Sequence, residues 1–277
     1  MMKAKLIILS ICTAFFAVGC LDGDEFSTPS SVGKGSLQVV SSLEENVAEV
    51  ETRTTSGYAL PAEVIPVADN MKLRIVGTYQ DSSSTVQEFD QSWTSVKSFN
   101  LEDPKFNFGT YKAYVSSGDI DVEGAMKPYF YGESADISVA TTRPTQASVT
   151  ASLKNSCFTV VFGEWLKNYY KDIVIKVSTT NNIYSFDQYT AVEDAAHLIF
   201  VKPGQTLKVS GTAKKKQNDV EVEFPATVIA GGKLVEAETK YTITIDHSSA
   251  GGETISIGFD GTFTDIDPQT VELNPEV

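Results

Sequence analysis

Apolar and polar residues alternate with a period of two in many short stretches of this chain. Leu73 and Ile75 alternate with Lys72 and Arg74. The same pattern recurs at residues 111–115, 149–153, 207–209, 241–245 and 254–257. Alternation of this kind predicts half-buried β-strands, one face of each lying against a core.

The stretches between the predicted strands are rich in turn-forming residues. Asp, Ser, Gly and Pro cluster at 81–84, 203–204 and 251–252. No long apolar stripe of helical period is present, although residues 164–172, which include Trp165, could form one or two helical turns. Many short strands separated by turns predict antiparallel β-sandwiches rather than α/β units.

The N-terminus carries a targeting signal. Two lysines within residues 1–5 precede an apolar run at 6–18, and Gly19 stands directly before Cys20. This pattern predicts a signal peptide, and the run is shorter than the roughly 20 apolar residues of a transmembrane helix. The segment resembles the bacterial lipobox, in which the cysteine thiol is acylated before cleavage, although Ala17 stands where Leu is commoner. The alternative is an ordinary secretory signal with an incidental cysteine.

A short acidic, polar segment follows Cys20. Asp22, Asp24 and Glu25 precede a stretch of Ser, Thr, Pro and Gly that predicts a flexible tether. The acidic group resembles the surface-export signal of Bacteroidetes lipoproteins. A solvated linker that is acidic by chance is the alternative.

The signal, the tether and the predicted strands together suggest how the chain is divided into domains. One sandwich takes about 100 residues, so the length predicts two in tandem. We therefore predict an all-β protein with two antiparallel β-sandwich domains, transthyretin-like or immunoglobulin-like, after the signal peptide. The expected segments are a signal peptide at 1–19, a flexible acidic tether at 20–34, an N-terminal sandwich at 35–138, a C-terminal sandwich at 139–265 and a C-terminal tail at 266–277.

Composition narrows the possible partners. The chain of 277 residues has 36 acidic and 22 basic residues, a formal net charge of −14, and 42% hydrophobic residues. This apolar content suits folded domains. Without a cluster of Lys or Arg such a chain cannot neutralise phosphates, so we exclude nucleic acid as a partner.

Candidate catalytic and metal-binding residues are few. Cys157 has no partner for a disulfide other than the acylated cysteine and is expected to be buried. His197 is expected on an apolar strand and His247 in a turn, and no catalytic motif surrounds either. Paired acids at 119–121 and 265–267 could hold a weak Ca²⁺, but they lack the glycine turn of a calcium loop, so solvated edges are the better interpretation. We predict no enzyme activity, no cofactor and no metal site.

Three consecutive aromatic residues form the best candidate contact surface. Tyr129, Phe130 and Tyr131 precede Gly132, and tyrosines bury large areas and stack on sugar rings. The alternative is a role in the core or between domains, because consecutive residues of a strand point to opposite faces.

Several segments together resemble a known family. They are the lipobox, the first strand at 35–40, and residues 93–99, 108–111, 127–133 and 153–160. They resemble a domain-of-unknown-function family of Bacteroidetes outer-membrane lipoproteins, which looks related to the fimbrillin-like superfamily. The resemblance implies two transthyretin-like sandwiches in a surface lipoprotein, such as a pilus or adhesin component, and implies no biochemical activity.

The resemblance also singles out Arg53. In fimbrillin-like pilus subunits the N-terminal strand is cut off after an arginine, and a strand from the next subunit fills the groove. Here the first strand precedes an acidic stretch at 44–51, which we expect to be poor in strand, and then Arg53. The alternative is an ordinary loop arginine in a lipoprotein that keeps its first strand.

The expected function is that of a lipid-anchored outer-membrane protein at the cell surface, with a structural, adhesive or fimbria-related role. Its expected partners are the membrane, through acylated Cys20, and other pilus or surface proteins. The alternative is a glycan-binding accessory lipoprotein, which requires an exposed row of aromatic rings. A hydrolase is a third alternative and requires a histidine beside a nucleophile in a cleft.

Overall fold

The computed structural model describes residues 33–50, 55–247, 255–259, 262–266 and 269–270. Its strands up to residue 153 are β1 (Lys34–Leu43), β2 (Asn46–Val50), β3 (Thr55–Ala59), β4 (Lys72–Gln80), β5 (Val86–Trp93), β6 (Lys105–Asn107), β7 (Gly109–Ser117), β8 (Gly124–Ala125), β9 (Phe130–Glu133), β10 (Ile137–Val139) and β11 (Thr145–Leu153). The later strands are β12 (Ser156–Phe162), β13 (Tyr170–Ser178), β14 (Ile183–Phe186), β15 (Ile199–Val201), β16 (Lys208–Lys215), β17 (Glu221–Val228), β18 (Thr239–His247), β19 (Ile255–Phe259), β20 (Thr262–Ile266) and β21 (Gln269–Thr270). The all-β class that the alternation predicted is confirmed.

Helical structure is short in the described residues. The α-helices are α1 (Val96–Glu102) and α2 (Glu164–Tyr169), and 3₁₀ turns occupy Ala62–Val64, Ala68–Asn70, Ala195–His197 and Ile229–Gly232. Ser95 caps α1 by accepting a hydrogen bond from the Ser98 backbone N–H at 2.9 Å. The predicted helical turns at 164–172 are found as α2. In the part of the chain that the structure describes, no helix has the length and apolar character needed to cross a membrane.

The strands form three sheets. The first sheet has the order β5-β4-β7-β9-β11-β1-β6, with β10 paired to β7. The second sheet has the order β20-β19-β18-β12-β15-β8, and β2 and β3 extend it through β18. The third sheet has the order β14-β13-β16-β17-β21.

Most strand pairs are antiparallel, as predicted, but three described pairs are parallel. They are β1 with β11, β12 with β18, and β2 with β18. Parallel neighbours need a long connection between them, and here the intervening strands provide it. These pairings join segments that are far apart in the sequence, so the local pattern does not reveal them.

The described residues form two hydrophobic cores. The first contains the inward faces of β1, β4, β7, β9 and β11 with Phe99 of α1, and the second lies between the second and third sheets. β12 and β15 contribute to both cores. Cys157 and Phe200 belong to the first core, whereas the next residues along, Phe158 and Val201, belong to the second.

The boundary between the cores falls later in the chain than we predicted. β11 lies beyond the expected boundary at 138/139, yet Val149 and Leu153 are fully buried in the first core. The reason is the parallel pairing of β11 with β1, which places β11 inside the first sheet. The division into two independent domains stays a prediction.

Two further segments differ from expectation. Residues 44–51, expected to be poor in strand, contain β2, whose backbone pairs with β18 and β3. The segment 266–277, expected to be a tail, contains β21, which pairs with β17. Both segments add to the edge of an existing sheet, where backbone hydrogen bonds stabilise a strand whose own alternation is weak.

Candidate functional site

Tyr129 and Tyr131 lie on the outer side of the first sheet, whereas Phe130 lies inside the molecule. Phe130 is 0% exposed in the first core, and the two tyrosines are half-buried. The pleat of β9 causes this division, since successive side chains point to opposite faces. The three-residue contact surface is therefore reduced to two tyrosines, and Phe130 is a core residue.

A third tyrosine joins them on the outer face. The ring centroids of Tyr114 and Tyr131 lie 6.2 Å apart with planes inclined by 33°. Those of Tyr131 and Tyr129 lie 6.4 Å apart with planes inclined by 25°. We call these three residues the tyrosine surface. The alternation at residues 111–115 predicts that Tyr114 points away from the core, on the same face as Lys112. Only the pairing of β7 with β9 brings Tyr114 next to Tyr131.

Ion pairs border the tyrosine surface. The Arg74 guanidinium donates two hydrogen bonds to the Asp90 carboxylate, at 2.8 and 2.6 Å. Lys112 Nζ lies 3.0 Å from Glu133 Oε1 and 5.9 Å from the centre of the Tyr114 ring. Hydrogen bonding to Arg74 lowers the pKa of the Asp90 carboxyl, and hydrogen bonding to Glu133 raises the pKa of Lys112. The border therefore keeps both signs of charge at neutral pH.

The tyrosine surface is suited to binding rather than to proton transfer. Burial raises the pKa of both Tyr129 and Tyr131 above the ordinary value of 10. The phenols therefore stay protonated at neutral pH, where they can stack and donate hydrogen bonds.

The N-terminal segment is built into two sheets. β1 pairs with β11 from Leu37 to Leu43, and the Asn100 side chain bonds both the N–H and the C=O of Val39, at 3.0 and 2.8 Å. Leu37 and Val39 are 0% and 1% exposed. The chain then crosses to the second sheet as β2.

A buried lysine holds β2 against β18. The Lys240 side chain is 0% exposed, and its Nζ lies 2.7 Å from Glu49 Oε1 and in contact with the Glu193 carboxylate. The Tyr58 ring centre lies 4.4 Å from the same nitrogen. Burial alone would lower the pKa of Lys240, but hydrogen bonds to Glu193 and Glu49 raise it on balance. The ammonium therefore stays charged and paired, an arrangement that the alternating sequence of β18 did not reveal.

The other candidate residues occupy structural positions. His197 ends a 3₁₀ turn rather than lying on a strand, and its Nδ1 is 2.7 Å from Asp194 Oδ1. The Asp121 carboxylate pairs with Lys202 Nζ at 2.5 Å. Cys157 is buried as expected, and burial raises the pKa of its thiol to about 12. Within the described residues, no group of three or more His, Cys, Asp or Glu side chains is placed to hold a metal ion.

Several predicted residues lie outside the part of the chain that the structure describes. Cys20, Arg53 and Asp267 are among them. For His247 and Asp265 only the backbone, at the end of β18 and in β20, is described. The lipid-attachment and processing hypotheses stay predictions.

Solved structures similar to this chain include one named as a cell adhesion protein and one named as a fimbrial anchor protein. A candidate cell adhesion protein from Bacteroides eggerthii is 10% identical, with a TM-score of 0.36, and the match covers 88% of this chain and 97% of that protein. The fimbrial anchor protein Mfa2 from Porphyromonas gingivalis is 11% identical, with a TM-score of 0.33, covering 84% and 100%. Because identities are this low and TM-scores lie below 0.5, the function of this chain is inferred from its own residues.

Sequence comparison assigns the chain to a family. No curated protein matches it significantly. A family model described as "Domain of unknown function (DUF4493)" matches residues 33–275. This match begins one residue before β1 and extends beyond β21, so it covers every described strand. The chain therefore belongs to the DUF4493 family.

Proposed function

We propose that this protein is a cell-surface lipoprotein of the outer membrane, held by acylated Cys20, with a structural, adhesive or fimbria-related role and no catalytic activity. The observation that carries the proposal is the path of the N-terminal segment, which enters both the first and the second sheet directly after the predicted tether. A protein anchored at its N-terminus transmits any pulling force through this segment.

The first part of the segment is suited to that load. β1 pairs with β6 from Lys34 to Ser36 and with β11 from Leu37 to Leu43, so it is held in the first sheet along its whole length. A force along β1 must break the β1–β11 ladder from Leu37 to Leu43 and withdraw two buried side chains, Leu37 and Val39, from the core.

The second part adds an electrostatic attachment. β2 is joined to β18 by backbone pairing and by the Glu49–Lys240 ion pair, which the Lys240 burial removes from water. Withdrawing Glu49 takes away one of the carboxylates that neutralise the buried Lys240 ammonium, which is costly in a site of low polarity. The anchor is thereby connected to both cores.

Radiolabelled palmitate and surface proteolysis test the proposal. Palmitate should enter the wild-type protein, and Cys20→Ala should incorporate none and leave the membrane fraction. Protease added to intact cells should degrade the wild-type protein, and a periplasmic protein serves as the control. Label in the variant, or full protection of the wild type, would contradict the proposal.

Processing at Arg53 distinguishes a pilus subunit from an anchor. Cleavage there would release β1 and β2 and open the edges of β11 and β18 to a strand from another subunit. The extensive pairing of both strands favours a protein that retains them. N-terminal sequencing of the surface protein decides: an acylated Cys20 on all molecules supports the anchor, and a terminus at Thr54 that Arg53→Ala abolishes supports the subunit.

A second candidate function is glycan binding by the tyrosine surface. Three half-buried rings follow one another on the outer face with planes inclined by 25° and 33°, and aromatic rings at a surface can stack on sugar rings. The double variant Tyr114→Ala/Tyr131→Ala should abolish retention of the protein on insoluble polysaccharides. Tyr189→Ala, at a tyrosine that is 75% exposed elsewhere, is the control. Retention equal to that of the wild type would remove this candidate.

A further inference from the structure

A cavity of about 420 Å³ lies between two segments that meet at one end of the first sheet. One segment precedes β4 and the other follows β7, and the antiparallel pairing of these strands places Lys72 opposite Ser116. The volume falls in the range of about 300–1,000 Å³ typical of small-molecule sites. The lining includes Glu63, Pro66, Asp119, Val122, Met126 and Lys127.

Both walls of the cavity are held in place by the fold. On one side Val64 lines the cavity and is only 4% exposed, because it belongs to the first core. On the other side Gly118, with φ of +84°, lies so close to Pro128 that a Cβ would stand 2.1 Å from the Pro128 carbonyl oxygen. Between these two residues, Glu123 Oε1 accepts from the Lys202 backbone N–H at 3.0 Å. A preformed site of this kind binds with a smaller loss of entropy.

Apolar side chains in the lining are left in contact with water. Val122 and Met126 are 44% and 43% exposed, and Pro66 and Pro128 belong to the same lining. The described lining contains no aromatic residue that could stack on a sugar ring. Exposed apolar surface in a concave site therefore favours a ligand with an aliphatic group.

Two carboxylates and one ammonium group line the same cavity. Among the described residues, the side chains of Glu63 and Lys127 have no hydrogen-bond or ion-pair partner. Asp119 Oδ1 accepts from the Asp121 N–H at 2.9 Å, which leaves Oδ2 for a ligand. The cavity thus offers acceptors to a cationic group and a donor to an anionic one.

The acidic side dominates the local charge. Burial, and after it the Asp119 carboxylate, raise the pKa of Tyr129, at the end of the tyrosine surface. The field of Asp119 therefore extends to this phenol, although Lys127 lies in the same cavity. A ligand that carries an ammonium group is favoured over one that is only anionic.

We propose that this cavity binds a short apolar peptide with free termini. The peptide ammonium donates to Glu63 and Asp119, its carboxylate accepts from Lys127, and an aliphatic side chain packs on Val122 and Met126. A purely apolar ligand would satisfy none of the three charged groups. The site goes beyond the proposed function, because a structural, adhesive or fimbria-related role does not require it.

Isothermal titration calorimetry of the full chain in detergent micelles measures binding. The probes are the dipeptide Leu-Leu with free termini, its N-acetylated form, its C-terminal amide, and Gly-Gly with free termini. Leu-Leu should give a saturable heat, and each of the other three should bind more weakly by roughly fivefold or more, because each lacks one of the matching groups.

Substitutions assign each contact. Glu63→Gln and Asp119→Asn should weaken binding of Leu-Leu but not of its N-acetylated form, and the asparagine keeps an oxygen for the Asp121 N–H. Lys127→Gln should weaken binding of Leu-Leu but not of its amide. Val122→Ser should weaken binding of all three leucine dipeptides.

Matched controls are Glu88→Gln and Val86→Ser, at exposed positions of β5 outside the cavity. Thermal melts verify that each variant is folded. Absence of a saturable heat, equal binding of either blocked dipeptide, or an equal loss in the control variants would overturn the inference. Because palmitate labelling and surface exposure do not depend on this cavity, failure here is distinguishable from failure of the proposed function.

Discussion

At the scale of single residues, Glu123 is held by four hydrogen-bond donors. Its Oε2 accepts from Thr179 Oγ1 at 2.8 Å and Asn182 Nδ2 at 2.9 Å. Its Oε1 accepts from the Lys202 backbone N–H at 3.0 Å and Gln205 Nε2 at 2.5 Å. Burial alone would raise the pKa of Glu123, but these bonds lower it on balance below the ordinary value of 4.5. One carboxylate from the loop after β7 thus joins several segments of the second half.

Replacing this carboxylate should destabilise the protein in a pH-dependent way. Glu123→Gln should lower the free energy of unfolding by about 1–3 kcal/mol at pH 7, because an amide cannot accept all four bonds. The depressed pKa contributes stability above pH 4.5, and this contribution is lost as pH falls through the folded-state pKa. The difference between wild type and variant in urea unfolding should therefore shrink in acid. Glu88→Gln, on an exposed position of β5, is the control, and an equal loss there would contradict the assignment.

Cys157 should be inert in the folded protein. Its side chain is 0% exposed, and burial raises the pKa of the thiol to about 12, so thiolate is scarce at neutral pH. In a Cys12→Ser/Cys20→Ala variant, where it is the only thiol, a colourimetric thiol reagent at pH 8 should label it only after urea is added. Rapid labelling without urea would show that this part of β12 opens readily.

At the scale of elements, the ion pair between β2 and β18 should control the stability of the N-terminal strands. Lys240→Met removes the buried ammonium that pairs with Glu49 and Glu193, and we expect a loss of about 3–5 kcal/mol in unfolding free energy. Amide hydrogen exchange should rise most in β2. Lys154→Met breaks a half-exposed pair with Glu238 and should cost only about 0–1 kcal/mol. Similar losses in the two variants, or unchanged exchange in β2, would contradict the proposed attachment.

At the scale of the whole molecule, cutting the chain between β10 and β11 tests whether the two cores depend on each other. Arg143 is exposed in this link. β11 follows Arg143 in the sequence, but it pairs with β1, which precedes Arg143. A specific protease site inserted after Arg143 should therefore give two fragments on a denaturing gel that elute together as one native species. Fragments that separate without denaturant would instead support two independent domains divided near this link.

The alternation of residues along the chain determined its class and the faces of many strands. Tyr111, Ala113 and Val115 point inward as the pattern predicts, and the opposite directions of Phe130 and Tyr131 follow from the pleat alone. The helical turn at 164–169 was also foreseeable from local sequence. These features depend on neighbours a few residues apart, so they can be derived from the chain itself.

Only the tertiary structure decided which strands become neighbours. The pairing of β1 with β11 places β11 in the first core, beyond the boundary that we predicted. The pairing of β2 with β18 gives a strand at residues whose alternation is weak. The pairing of β2 with β18 also buries Lys240, and the pairing of β7 with β9 brings Tyr114 beside Tyr131. Each depends on contacts between distant segments, where many registers satisfy the same period of two and only the packing of the whole molecule selects one.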